Sequence, residues 1–378
     1  MTHSPTRREF LASAAAVAVT SRTLPAGRKD PRRTLIDPCN LTPLPGVRLR
    51  IRNLDSKKSY SLRTDSDGTW DMGLLIADVA DPAGERFRIR IKPQNIGGYD
   101  YAGLDYRAVL KPGIEANARI GRLALIPLAG AGRDLGIDDA AFETAWPEML
   151  RDVLFTRENT PDSIPKGAAR GAVTRFERKK IILRLGASLD TAEADFVRDI
   201  VENNALRDLT AGEMRLSLVV DLPTSDEPFY ADELPPGTIT VVKRDNYPKP
   251  VVSLRFSKKN PHEIVAAGIV LDDMTLNSFY RGGAGSEEEI AYARHIVQRC
   301  LAEALGYRPT ARLPNRTLLD ANFDPPGGVR RTGIRPEDIL LARVLYGALW
   351  LAPGSRWSPG GKLAIMTDYQ FPKGINSV

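Results

Sequence analysis

Apolar and polar residues alternate with a period of two over the first third of the chain. Val47, Leu49 and Ile51 interleave with Arg48, Arg50 and Arg52, and Phe87, Ile89 and Ile91 interleave with Arg86, Arg88, Arg90 and Lys92. That period predicts strands with one buried and one solvated face. Between them, Tyr60-Ser61-Leu62 leads into Thr64-Asp65-Ser66-Asp67-Gly68-Thr69-Trp70, a polar turn ahead of another apolar run. Residues 119–128 predict a closing strand. Short strands parted by Gly, Asp and Pro turns predict a β-sandwich over residues 40–129. Residues 27–39 read as a basic, Pro-rich, extended lead-in to it.

After a Gly/Ala-rich stretch at 129–136 the period changes. Residues 141–155 predict a short helix interrupted near Trp146-Pro147, and 156–172 read as loop, so 130–172 form a linker with one helix. A strand at Lys180–Leu185 and a helix at 191–203 follow. Phe196, Val197 and Ile200 share one face of that helix, and Asp190 is placed to cap it. Strands are expected at 215–222, 238–243, Val251–Phe256 and 264–271, then a long helix, and a last helix at 336–351. The predicted class is α+β, with a mixed sheet and a long central helix in a second domain at 173–352, and a C-terminal extension at 353–378. Apolar content of 42% and charged content of 26% suit two ordinary globular cores.

The long helix carries the functional question. Ser286-Glu287-Glu288-Glu289 reads as a capping box, Ile290, Ala293, Val297, Cys300, Leu301 and Ala304 repeat at helical spacing, and Gly306 sits where a helix ends. Strand, helix, several strands, then a helix ending in Ala304-Leu305-Gly306-Tyr307 resembles the zincin metallopeptidases. Their active-site helix carries His-Glu-x-x-His before a similar Leu-Gly turn. Val173-Thr174-Arg175-Phe176 ahead of the first strand and Ala266-Ala267-Gly268-Ile269-Val270-Leu271 ahead of the helix fit that order. Leu313-Pro314-Asn315 and Pro336-Glu337-Asp338-Ile339-Leu340-Leu341 resemble the tail of a secreted bacterial family related to zincins.

Carried over by that resemblance, the first zinc-ligand position is Arg299, the general-base position Cys300, the second ligand position Glu303, and a third ligand position Pro309. Zinc requires neutral imidazole, thiolate or carboxylate donors. Arginine only donates hydrogen bonds, and proline offers no side-chain ligand. Arg299 and Glu303 are instead spaced i,i+4, as an ion pair on one helix face. The expectation is a peptidase-like scaffold without its metal and with no cofactor.

The amino terminus gives an address. Thr6-Arg7-Arg8-Glu9-Phe10-Leu11 precedes a short apolar run at 10–19 and a small-residue exit near Leu24-Pro25-Ala26, which reads as an export signal over residues 1–26. The Arg7-Arg8 pair resembles the twin-arginine signal, which implies export as a folded protein to the periplasm or beyond with the help of the twin-arginine translocase. The apolar run is too short to span a bilayer, and no later segment reaches that length. The first 26 residues take three arginines and Glu9 with them, leaving 50 basic against 46 acidic residues. So mild an excess implies no nucleic-acid partner. The sandwich resembles the transthyretin-like or regulatory sandwiches attached to secreted bacterial proteins.

Other candidates are sparser. Beyond residue 26 there are two histidines, His262 and His295, expected in surface or capping roles. Asp272-Asp273 at a strand end reads as a turn, with paired carboxylates as the alternative. Asp65, Asp67 and Gly68 begin like a calcium loop, but its twelfth position is Ile76, so a turn is expected. Gly282-Gly283-Ala284-Gly285 lacks the lysine and spacing of a phosphate loop. Cys39 and Cys300 are expected as two separate thiols rather than a bridge. The expected function is binding without catalysis, to a protein, a peptide or an anionic envelope polymer. The alternative is a hydrolase with a divergent site using Glu303, Asp272 or Asp273, and His295.

Overall fold

The computed structural model describes residues 32–112, 122–137, 139–155, 172–176, 179–223, 233–245, 247, 249–272, 276, 287–310, 316–320, 333–347, 351, 354–357 and 364–367. The export signal, the capping serine Ser286, the Gly282–285 stretch, Asp273 and the 313–315 motif lie outside them.

The arginine-rich alternation folds as expected. β3 (Arg48–Asn53) and β6 (Glu85–Ile91) are antiparallel neighbours whose Leu49, Ile51, Phe87 and Ile89 are buried. They are flanked by β4 (Ser59–Arg63) and β9 (Gly103–Leu110). The extended lead-in is itself a strand. β1 (Arg32–Asp37) pairs with β2 (Thr42–Pro43), with β5 (Thr69–Asp71) and, in parallel, with β10 (Arg122–Ala124). Its only local sequence signal is the apolar pair Leu35-Ile36, because two of its partners, β5 and β10, are remote in the chain. A short helix α1 (Gly73–Ala77) and the hairpin of β7 (Gln94–Ile96) with β8 (Tyr99–Tyr101) complete this part.

The polar turn before Trp70 is a turn, as read from the sequence. The Thr69 hydroxyl donates to Asp65 at 2.6 Å, and Gly68 takes φ +72° with no room for a Cβ against Pro43 and Leu44. Ile76 lies in α1.

Residues 140–154 form one continuous helix, α2 (Ala140–Leu154), although Pro147 sits inside it. An interior proline costs about 3 kcal/mol. Phe142, Trp146, Met149, Leu150 and Val153 are all completely buried on one face, worth about 1.5–3 kcal/mol each, so burial outweighs the break. Asp139 caps the helix through the Phe142 amide at 2.9 Å.

The second sheet has the order β11–β16–β14–β12–β13, with all four of those neighbour pairings parallel. Its strands are β11 (Arg175–Phe176), β12 (Lys180–Leu185), β13 (Arg215–Asp221), β14 (Thr238–Arg244) and β16 (Glu263–Asp272). β15 (Val251–Phe256) adds antiparallel to β16, which makes the sheet mixed. Between β12 and β13 runs α3 (Thr191–Ile200), capped by Asp190, which accepts from the Glu193 amide while its own amide donates to the Glu193 carboxylate, then a π turn and α4 (Leu206–Leu209). After β16 comes α5 (Glu287–Ala304), then α6 (Pro336–Ala342), continued by a π turn at Arg343–Gly347. The class is α+β.

The C-terminal segment returns to the first sheet. β17 (Arg356–Trp357) pairs with β18 (Ala364–Thr367), and β18 runs parallel to β9, giving the order β17–β18–β9–β6–β3–β4. Residues 354–356 also bind residues 172 and 173, with the Val173 amide donating to Ser355 O at 2.7 Å and the Gly354 amide to Val173 O at 2.9 Å. No helix of the described residues is long and apolar enough to cross a membrane.

Candidate functional site

The C-terminal half of α5 is fixed by what it buries. Ala293, Val297, Cys300, Leu301 and Ala304 face the core at helical spacing. The helix stops at Gly306, whose φ is +106°. The Gly306 amide donates to Glu303 O at 3.0 Å and the Tyr307 amide to Ala302 O at 3.1 Å, the paired bonds of a Schellman ending. A Cβ on Gly306 would lie 2.1 Å from Thr174 O, so the helix end abuts the residue leading into β11. Tyr307 donates its hydroxyl to Leu209 O at 2.6 Å, and Tyr346 donates to Leu305 O at 2.5 Å.

On this framework the expected ion pair forms. Arg299 Nε donates to Glu303 Oε1 at 3.1 Å. Its Nη1 donates to the backbone carbonyl of Asp320 at 3.0 Å, a contact no sequence spacing announces. Asp320 is held by its own strand-like bridge to Thr310, whose amide donates to Leu319 O at 2.8 Å. The guanidinium therefore bridges the helix and the segment beyond Pro309, and that proline is half-buried.

The neighbouring groups are chemically muted. Burial raises the Cys300 thiol well above its ordinary range, and the charges of Glu303 and Asp272 act the same way against Arg299. A thiol held protonated is a poor nucleophile and a poor ligand. His295 lies one turn before Arg299. Burial, with the cations Arg299 and Arg335, pushes it down to about 4, so it is neutral at physiological pH. The surface role expected for both histidines is corrected here: His295, on the inward side of α5, is 1% exposed, and His262, in the turn that leads into β16, is 9% exposed. Asp272 is buried at the end of β16.

Sequence reasoning passed over Arg308. Burial pushes its pKa down, the Glu303 carboxylate raises it, and Nε and Nη2 find no partner among the described residues. Its only sequence signal was a charge two residues past the helix-ending glycine.

The structure thus places Arg299, Glu303 and Cys300 together, with Asp272 close enough to bias the thiol, and His295 behind Arg299. Glu303 is the only carboxylate at the carried-over ligand positions, and it is engaged by the guanidinium. Among the described residues, no group of three or more His, Cys, Asp and Glu side chains could hold a metal ion. Cys39 and Cys300 are both free and buried. A separate groove of about 570 Å³ opens at the carboxyl end of β14, lined by Ser188, Lys243, Arg244, Asp245 and Tyr247. Lys243 there is committed to the buried Glu193 at 2.8 Å. No protein-family model matches the chain, and no curated protein does.

Proposed function

We propose that this is an exported, non-catalytic binding protein whose second half is a zincin-like domain without a metal. It binds a protein, a peptide or an envelope polymer. The observation that carries the reading is the Arg299 guanidinium, held between Glu303 and the Asp320 carbonyl where the resemblance would put a zinc ligand. A fixed cation repels Zn²⁺ and offers it no lone pair. Without a Lewis acid at that position, that site has nothing to polarise an amide or activate a water. The neutral, buried His295 and the protonated Cys300 thiol support the same conclusion, since neither is poised as a base or a nucleophile. The order strand, helix, strands, long helix that suggested the resemblance recurs in β12, α3, β13 to β16 and α5, and supports the scaffold assignment. Export rests on the Arg7-Arg8 signal and the apolar run behind it.

The test is metal analysis of the purified chain together with hydrolysis of a mixed peptide library. The expected outcome is substoichiometric zinc and no turnover. Stoichiometric zinc with turnover abolished by a chelator would overturn the reading.

A further inference from the structure

The outer face of the first sheet is an array of cations with too few partners. Arg50 stands directly opposite Arg90, Arg52 opposite Arg88, and Arg48 opposite Arg63. Like charges facing each other across a ladder destabilise a sheet. β3 and β6 are interior strands, so the arginines they carry do not serve to guard a free edge; Arg63 alone of the set lies on the terminal strand, β4. Among the described residues two carboxylates answer the cations of this face: Asp55 takes Arg86 at 2.5 Å, and Asp105, itself mostly buried, takes Arg88 at 2.5 Å and Arg90 at 3.3 Å. The side chains of Arg48, Arg50, Arg52 and Arg63 make no hydrogen bond or ion pair among the described residues. Within this array lies a shallow groove of about 460 Å³ that also takes in Ser59 and Ser61 from β4.

We infer that this face is a binding site for a linear acidic polysaccharide, a glycan carrying carboxylate or phosphate groups along its length. Neighbouring strands are about 4.8 Å apart and alternate residues along a strand about 6.8 Å apart, so the guanidiniums form a grid that meets several anions in succession. Arginine forks suit both carboxylate and phosphate. Ser59 and Ser61 are exposed and stand opposite Arg52 and Arg50, which places neutral hydroxyls among the cations, as sugar recognition needs. Among the described residues lining the groove, no exposed aromatic ring offers a stacking platform for nucleobases. The single aromatic at the groove, Tyr60, has its hydroxyl bound to Asp78. Nor do the described residues around the groove form an apolar rim that would enter a lipid surface. The inference deepens the binding reading above and rests on it for the role. Its test concerns the sheet alone, so its failure would leave the metal and turnover results unchanged.

Binding of the full chain is measured to polygalacturonate, which has a carboxylate on each sugar, and to a phosphomannan. Neutral dextran and an oligo-dT strand serve as comparisons. Expected is binding to at least one acidic glycan, weakening about tenfold or more between low and high salt, with none to dextran. Arg50→Thr with Arg52→Thr lowers the affinity about tenfold and does not lower the melting temperature, because opposed charges are removed. Arg48→Thr with Arg63→Thr acts in the same direction. Lys180→Thr with Arg215→Thr, an exposed cross-strand pair in the other sheet, leaves binding unchanged. The inference is overturned if neither acidic glycan binds, if all three double variants weaken binding equally, or if oligo-dT binds more tightly than both.

Discussion

Two buried groups set opposite pH slopes on stability. Burial raises the Asp338 carboxyl to about 7, although the Leu318 and Arg335 amides both donate to it. Its folded pKa lies above its unfolded one, so its contribution is complete below the unfolded value and is lost as pH rises through about 7. His295 is shifted down to about 4, so its contribution is present above the ordinary histidine value and is lost as pH falls through about 6.5 towards 4. Asp338→Asn should therefore gain stability relative to the native chain between pH 5 and pH 8, on the order of 2 kcal/mol. His295→Gln should gain on acidification from pH 7 to pH 5, by a similar or smaller amount. Urea midpoints across that range check both, and parallel curves for variant and native protein would discard the assignments. At this scale the Arg299–Glu303 pair is legible beforehand, because i,i+4 spacing is local. The Asp320 carbonyl and the burial of His295 are not, because both depend on segments that meet only after folding.

Strand limits were largely legible. β12 and β15 fall on the expected residues, and β14 runs one residue past its expected end. α2 was misread at Pro147, since a local breaker weighs more in sequence than the Trp146 burial that overrides it. The end of α5 makes a sharp test of how elements fit. Gly306→Ala places a methyl 2.1 Å from Thr174 O at a φ that alanine rarely adopts. It should cost about 3 kcal/mol or more, read as a lowered urea midpoint with α5 displaced from residue 174. A loss under about 1 kcal/mol would mean that the helix end has slack.

Across the whole molecule, the chain does not fold in the sequential order that its periodicity suggests. The expected α+β class is right, but the first sheet is finished by β18, which no local pattern assigns to it. Alternation tells which face of a strand is buried and nothing about which distant strand it meets. Removal of residues 353–378 should strip β9 of a neighbour and free residues 172 and 173 from Gly354 and Ser355. The truncated chain is expected to melt several degrees lower and to aggregate through the uncovered strand. An unchanged melting temperature and a monodisperse product would count against β18 as a structural member of that sheet.

This topology bears on synthesis. A nascent chain leaves the ribosome with β9 roughly 250 residues ahead of β18, so the arginine-faced sheet waits with one flank open while the rest is translated. On the export route proposed above, a machinery that accepts only finished proteins would then have a simple criterion, because an unclosed flank is an invitation to chaperones and to neighbouring copies alike.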